Sequence, residues 1–119
     1  MKKHVFAAVL FLCSTSAWAL TIGQVLAPIQ QNQEPQRDIA VQYWTGLLEM
    51  ALLMNAQMAQ AGKPMFCLPT PAPNIQQIFT SFTQDAEQLV KTQGMEKAAV
   101  MQAPEVLLRT LTSHYGKCK

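Results

Sequence analysis

Few residues of this chain could do chemistry, and they lie far apart in the sequence. The chain has three cysteines and two histidines, and only Cys67, Cys118 and His114 lie beyond the N-terminal segment. A cysteine nucleophile needs a free thiol beside a base, and a metal centre needs several converging ligands. The acidic residues are scattered, and there is no glycine-rich phosphate loop. We therefore expect a protein that is not an enzyme and holds no metal or cofactor.

The N-terminus has the pattern of a secretory signal peptide. Lys2 and Lys3 precede an apolar run, and Ala17-Trp18-Ala19 is a small-x-small cleavage site. The apolar run is shorter than the roughly 20 residues that span a bilayer, although an uncleaved anchor or a core helix remains the alternative. We predict a signal peptide at residues 1–19 and one exported domain at residues 20–119, with no membrane attachment after cleavage.

Only Cys67 and Cys118 remain after this cleavage. In an oxidising compartment an isolated pair is most simply one disulfide, which would tie the middle of the chain to its end. Two free thiols in a reactive site are the alternative. Cleavage also removes Lys2 and Lys3 from the nine basic residues, which leaves seven to balance the seven acidic ones. A neutral domain lacks the positive surface of a nucleic-acid-binding protein.

Hydrophobic periodicity predicts an all-α fold, a small bundle of about four helices stapled by the disulfide. Residues 21–31 should form only one or two turns, because Pro28 interrupts them. Residues 35–61 should form a long helix that is apolar around most of its circumference. Such a helix is expected at the centre of the bundle, packed on several sides. Gly46 in its middle predicts the close approach of another helix.

The second half of the chain has clear local signals. Three prolines between residues 69 and 73 predict an extended and rigid connection. Asn74 is expected to cap a third helix, which Gly94 closes. Residues 95–102 could be a loop or a further helical turn. Pro104 then opens the last helix.

The remaining residue types favour a binding protein over a catalyst. Charged residues make up only 13% of the chain, and a weakly charged surface rich in glutamine associates readily with other proteins. We interpret the seven methionines as core residues, with a methionine-rich binding groove as the alternative. His114 is interpreted as a cap or a satisfied polar group.

Three short motifs resemble one known family. YWTGLLE (43–49) resembles its aromatic-x-x-Gly-hydrophobic-x-acid segment, and GKPMFCLP (62–69) resembles its Phe-Cys-x-Pro turn. LLRTL (107–111) followed by YGKC (115–118) resembles its C-terminal Ala-Leu…Tyr-Pro-Cys pattern, with Thr110 in place of the alanine. On these motifs the chain is similar to the Rap/Tai immunity proteins of bacterial type VI secretion.

The resemblance implies a periplasmic helical protein, often a homodimer, that binds a peptidoglycan-cutting amidase toxin and occludes its active-site cleft. The implied partner is the cognate amidase effector. Stiff loops on a stapled scaffold suit such a role, because preorganisation lowers the ordering cost of binding. We predict toxin contacts in two connections, each of which could also be an ordinary surface loop. Their residues are Thr70, Pro71, Ala72, Pro73 and Asn74 in the first, and Gln93, Gly94, Met95, Glu96, Lys97 and Gln102 in the second.

Two other functions remain open at this point. A small, weakly charged helical protein could be a periplasmic chaperone or stress protein that exposes apolar surface to unfolded clients. A hydrolase is the third possibility, which the missing catalytic constellation disfavours.

Overall fold

The computed structural model describes residues 19–118 of the chain. This part is 71% helical and contains five α-helices and no strand. The predicted all-α fold is therefore confirmed, while the predicted signal peptide lies outside the described residues except for Ala19. No helix in the described range is long and apolar enough to cross a membrane. The helices are α1 (Ile22–Gln30), α2 (Gln36–Gln60), α3 (Ile75–Gln93), α4 (Met95–Ala99) and α5 (Ala103–Tyr115).

Helix α1 is longer than the one or two turns we predicted. A capping box starts it: the Thr21 hydroxyl accepts from the Gln24 N–H at 3.2 Å, and the Gln24 side chain accepts from the Thr21 N–H at 3.0 Å. The helix then continues past Pro28 to Gln30. Burial of Ile22, Val25 and Leu26 explains this, since tertiary packing outweighs a local propensity penalty.

Helix α2 has nearly the predicted ends but not the predicted position. Ala40, Trp44 and Leu48 are buried on one face, where α2 contacts α1 and α5. The opposite face is exposed, so the prediction of a central helix packed on several sides is wrong. The predicted close approach at Gly46 is also wrong, because nothing lies within 4 Å of a Cβ built there.

An aromatic cluster joins α2 to α3. The Trp44 ring meets the edge of Phe79 with centroids 5.0 Å apart and planes at 89°, and its centroid lies 5.8 Å from that of Phe82. Edge-to-face pairs of this kind add stability beyond their buried area. The surrounding core draws on all five helices of the described range and on the α2–α3 connection, through Val25, Leu26, Leu48, Phe66, Ile78, Ala98, Val106, Leu107 and Leu111.

The predicted disulfide closes the bundle. Cys67, in the connection between α2 and α3, is bonded to Cys118 behind α5, with the two Cα atoms 5.2 Å apart. The ambiguous residues 95–102 contain the short helix α4, which makes the fifth helix of the described part. Gly94, with a φ of +92°, turns the chain between α3 and α4 in a conformation that only glycine adopts readily.

Candidate functional site

The connection between α2 and α3 is fixed firmly before its exposed part begins. The Asn55 side chain of α2 accepts hydrogen bonds from the Met65 N–H at 2.7 Å and the Phe66 N–H at 3.1 Å, and donates to the Phe66 carbonyl at 2.7 Å. The Phe66 side chain is only 1% exposed. One polar side chain and one buried ring therefore hold residues 65 and 66 against the bundle.

The next residue ties the same connection to the C-terminus. Cys67 carries the disulfide to Cys118, and its N–H donates to the Tyr115 carbonyl at 2.8 Å. Residues 69–74, which we call the proline loop, follow this anchor. Thr70, Pro71 and Ala72 are exposed, and Pro73 is half-buried. These four predicted contact residues are thus positioned by an anchor that precedes them in the chain.

The far end of the proline loop is fixed by the cap of α3. The side-chain oxygen of Asn74 accepts a hydrogen bond from the Gln77 N–H at 2.8 Å, and the side-chain oxygen of Gln77 accepts one from the Asn74 N–H at 2.8 Å. The backbone is therefore constrained at both ends of the loop. Asn74 was predicted as a toxin contact, and the structure shows that the same side chain also serves as the N-cap.

An open cleft of about 1120 Å³ lies beside the proline loop, between residues 67–70 and 112–117. His114 lines this cleft, and its Nε2 lies 3.3 Å from the Asp85 carboxylate on α3. The other carboxylate oxygen accepts from the Thr110 hydroxyl at 2.7 Å. His114 is thus a satisfied polar group, and Thr110, fully buried on α5, links α5 to α3.

This polar trio receives no thiol from the cysteines of the described range. Both cysteines of the described range are joined to each other, so neither supplies a thiol to His114. Residues 19–118 also contain no group of three or more His, Cys, Asp or Glu side chains that could hold a metal ion. The hydrogen bonds of the trio connect α3 and α5.

The second predicted contact region, residues 93–102, is called the α4 segment below. Its six predicted residues Gln93, Gly94, Met95, Glu96, Lys97 and Gln102 are all exposed. Met95 and Val100 are the most exposed large apolar residues of the described chain, at 66% and 67%. The segment therefore presents both charged and apolar side chains to solvent.

Backbone contacts with α1 hold the α4 segment in place. The Ile22 N–H donates to the Met101 carbonyl at 2.9 Å, and the Ala103 N–H donates to the Leu20 carbonyl at 2.8 Å. A Cβ built on Gly23 would lie 3.0 Å from the Ala99 carbonyl oxygen. Glycine at this position thus permits the close approach of α1 and α4.

A groove of about 590 Å³ lies next to the α4 segment, between α1, α3 and α4. Its lining is mainly apolar, and Glu87 and Lys91 supply the charged groups. Leu26 and Ala86 are buried residues in this lining. Each predicted contact region therefore borders a concave surface.

The structure does not bring the two predicted regions together. The proline loop directly precedes Ile75, and the α4 segment begins at Gln93, the last residue of α3. A helix of 19 residues is about 28 Å long at 1.5 Å per residue. One partner would have to span that distance to contact both regions.

Sequence reasoning missed an exposed apolar surface on α2. Met50, Leu53 and Met54 are 55%, 54% and 50% exposed, so interpreting every methionine as a core residue is wrong. A signal was present in the sequence. From Met50 to Gln84, Lys63 is the only charged residue, although much of this stretch is a helix with a solvent-facing side.

Comparison of the chain with known families, proteins and structures gave no match. No protein-family model matches the chain, and neither a curated protein nor a solved structure matches it significantly.

Proposed function

We propose that this protein is a periplasmic inhibitor that binds a peptidoglycan-cutting amidase toxin of type VI secretion and occludes its active site. The observation that carries this proposal is the proline loop, which is exposed in its middle and held at both ends. A loop already fixed in one conformation loses little entropy when it enters a partner's cleft. The family resemblance supplies the identity of the toxin class.

The chemistry of the loop fits insertion into a cleft. No charged residue occurs between Pro64 and Gln84, so the loop could be desolvated without burying a charge. Protein interfaces are likewise depleted of charged residues at their core. Inhibition would be steric: the loop fills the substrate groove and excludes the cell-wall peptide.

The motifs that resemble the Rap/Tai family contribute the anchor of the loop and parts of the surrounding scaffold. The Phe-Cys-x-Pro turn contains Phe66 and Cys67, which anchor the loop. The C-terminal motif contributes Leu107 and Leu111 to the core and Cys118 to the disulfide. Tyr43 of the first motif accepts a hydrogen bond from the Leu20 N–H at 2.8 Å. These residues would provide scaffolding for toxin binding.

Co-expression tests the proposal. An amidase encoded by an adjacent reading frame, with a Cys–His catalytic pattern, should lyse cells when it is directed to the periplasm. Co-production of this protein should restore growth, and the purified pair should show stoichiometric inhibition. Continued lysis in the presence of the protein would remove the proposal for that pair.

A pair of alanine variants tests the role of the loop. Ala72→Glu places a charge in the exposed loop and should abolish protection, because a desolvated charge in the toxin cleft is costly. Ala59→Glu, at another exposed alanine near the end of α2, is the matched control and should protect normally. Both variants should keep the wild-type melting temperature. Equal protection by the two variants would exclude the loop as the inhibitory element.

The exposed apolar surface of α2 favours a second candidate, a chaperone that holds unfolded clients. A chaperone should suppress the aggregation of several unrelated proteins at similar molar ratios, and Leu53→Glu should weaken this activity. An inhibitor should act on one enzyme and leave those clients to aggregate. Aggregation assays with two unrelated clients separate the two functions.

A further inference from the structure

We propose that the groove between α1, α3 and α4 is a lipid site that takes the acyl chain of a lysophospholipid with an ethanolamine headgroup. The acyl chain would lie on the apolar floor of the groove, and the headgroup would contact Glu87 and Lys91 of α3, which both line it. This inference does not depend on the proposed inhibition of a toxin.

The groove exists because α1 and α3 each pack against other helices and leave a gap between them. Helix α1 contacts α2, α4 and α5, and α3 contacts α4 and α5. Several residues that line the gap are small, namely Gly23 and Ala27 on α1, Ala86 on α3 and Ala99 on α4. None of these four residues extends far enough to fill the space between the helices.

The floor of the groove matches a hydrocarbon chain in character and in size. Ile22, Leu26 and Ala86 are buried apolar residues of the lining. The volume of about 590 Å³ falls within the roughly 300–1,000 Å³ of typical ligand sites. At about 30 Å³ per group, the volume of a water molecule in the liquid, the groove holds on the order of 20 groups of methylene size. One long acyl chain therefore fits, and a second does not.

The groove has a closed end and an open end. Helix α4 contacts both α1 and α3 and meets α1 at Gly23, near the start of that helix. Gln30 and Gln31, about two turns further along α1, line the opposite end and are exposed. Met95 lines the α4 end and is 66% exposed, and a flexible methionine can fold over an apolar chain. We therefore expect the acyl tail at α4 and the headgroup towards the open end.

Two opposite charges on α3 follow the order of the charges in the headgroup. Glu87 and Lys91 are both exposed, and in the described structure they form no ion pair with each other. Because α4 follows directly on α3, Lys91 lies about one turn nearer to the closed end than Glu87 does. In a phosphoethanolamine lipid the phosphate adjoins the acyl-bearing glycerol and the ammonium group is outermost. The phosphate would thus meet Lys91, and the ammonium group would meet Glu87.

The same two side chains favour an ethanolamine head over other headgroups. Residues four positions apart on a helix have Cβ atoms about 5–6 Å apart, a span that the two-carbon link between phosphate and ammonium can match. A primary ammonium group donates hydrogen bonds to a carboxylate, which the trimethylated ammonium of choline cannot do. A purely anionic head would place a second negative charge beside Glu87.

Isothermal titration calorimetry on the protein purified with its disulfide formed tests the site. The probe is lysophosphatidylethanolamine, kept below its critical micelle concentration, and one molecule should bind per chain with micromolar affinity. Ala27→Phe places a ring in the groove and should abolish binding. Ala59→Phe, at an exposed alanine on α2, is the matched control and should bind like the wild type. A wild type that does not bind the probe, or equal binding by the two variants, would overturn the proposal.

Charge variants test the headgroup contacts and leave the floor of the groove unchanged. Glu87→Gln should weaken the binding of lysophosphatidylethanolamine several-fold, as expected for an exposed ion pair. It should not weaken the binding of lysophosphatidic acid with the same acyl chain, because that lipid has no ammonium group. Lys91→Gln should weaken the binding of both lipids, and Lys97→Gln, at an exposed lysine outside the groove, should weaken neither. An equal loss of both lipids in Glu87→Gln would contradict the assigned order of charges.

A segment of another protein is the competing occupant, and the co-expression assay separates it from a lipid. Ala27→Phe should lose lipid binding and still protect cells from the amidase. Such a result would support a lipid site that is separate from the inhibitory loop. Loss of protection in Ala27→Phe, together with a wild type that ignores the lipid, would assign the groove to a protein partner and overturn the proposal.

Discussion

The proline loop and the α4 segment were predicted as contact regions by similar reasoning, yet the structure holds them in different ways. The proline loop follows a covalent bond to the C-terminus and a side-chain clamp from Asn55. The α4 segment is held by backbone hydrogen bonds to the region of α1 and by the close approach at Gly23. Two surface regions of one small domain thus depend on separate interactions for their shape.

This difference shows that the two regions can be loosened independently. The disulfide closes a chain separation of 51 residues, and on the chain-entropy model such closure contributes about 4 kcal/mol. A single hydrogen bond contributes about 1 kcal/mol net. The proline loop should therefore respond most to its covalent anchor, and the α4 segment to small changes in packing.

The largest expected effect is that of Cys67→Ser. Loss of the disulfide should lower the free energy of unfolding by about 4 kcal/mol, as measured by urea denaturation. In the folded variant, hydrogen exchange should increase at residues 65–74 and much less at residues 95–102. An unchanged melting temperature would contradict the structural role of the bond, and equal exchange in both regions would contradict their independence.

Asn55→Ala should have the next largest effect, about 2 kcal/mol. It removes three hydrogen bonds to the backbone of Met65 and Phe66 and leaves partly buried polar groups unpaired. Asn55→Asp keeps an acceptor for the two N–H groups but replaces the donor to the Phe66 carbonyl by an ionised oxygen, which repels that carbonyl at neutral pH. Its cost relative to the wild type, by the same urea denaturation, should therefore fall at acidic pH, where the protonated carboxyl group can donate again. A cost that does not change with pH would contradict the assigned hydrogen bonds.

These interactions show which features of the fold could be predicted from local sequence. The prolines of the loop, Asn74 as a cap and Gly94 as a helix end act through their own backbone preferences, and all three lie where expected. The disulfide was also predictable, because two cysteines remain after the expected cleavage. Asn55 was not singled out, although a lone asparagine within an apolar helical run is a recognisable signal.

Other features depend on contacts between distant segments and could not be predicted. Thr110 and His114 share one face of α5, but Asp85 lies 25 and 29 residues away from them in the sequence, and no spacing rule places it beside that face. The apolar residues around α2 predicted burial on all sides. The composition of a helix, however, does not show on which of its sides another segment of the chain packs. The helix-breaking tendency of Pro28 is outweighed by the packing of α1 against the core.

Gly23→Ala should loosen the α4 segment and leave the proline loop intact. The added methyl group would lie 3.0 Å from the Ala99 carbonyl oxygen, and Ala98 beside it is fully buried, so the backbone has little room to move. We expect a loss of about 1 kcal/mol, at the lower end of overpacking costs. Hydrogen exchange should rise at residues 95–102 only; a rise confined to residues 65–74 would reverse the assignment.

The smallest effect should come from Gly46→Ala, the matched control for Gly23→Ala, and it should have the opposite sign. Both glycines lie in helices, but nothing within 4 Å of Gly46 opposes an added Cβ, so alanine should stabilise α2 by about 0.5–1 kcal/mol through its better helix propensity. Urea denaturation of the two glycine variants beside the wild type is the measurement. Destabilisation by Gly46→Ala would mean that an added Cβ meets an obstacle at this position. It would contradict the contrast between a close internal contact at Gly23 and an open surface at Gly46.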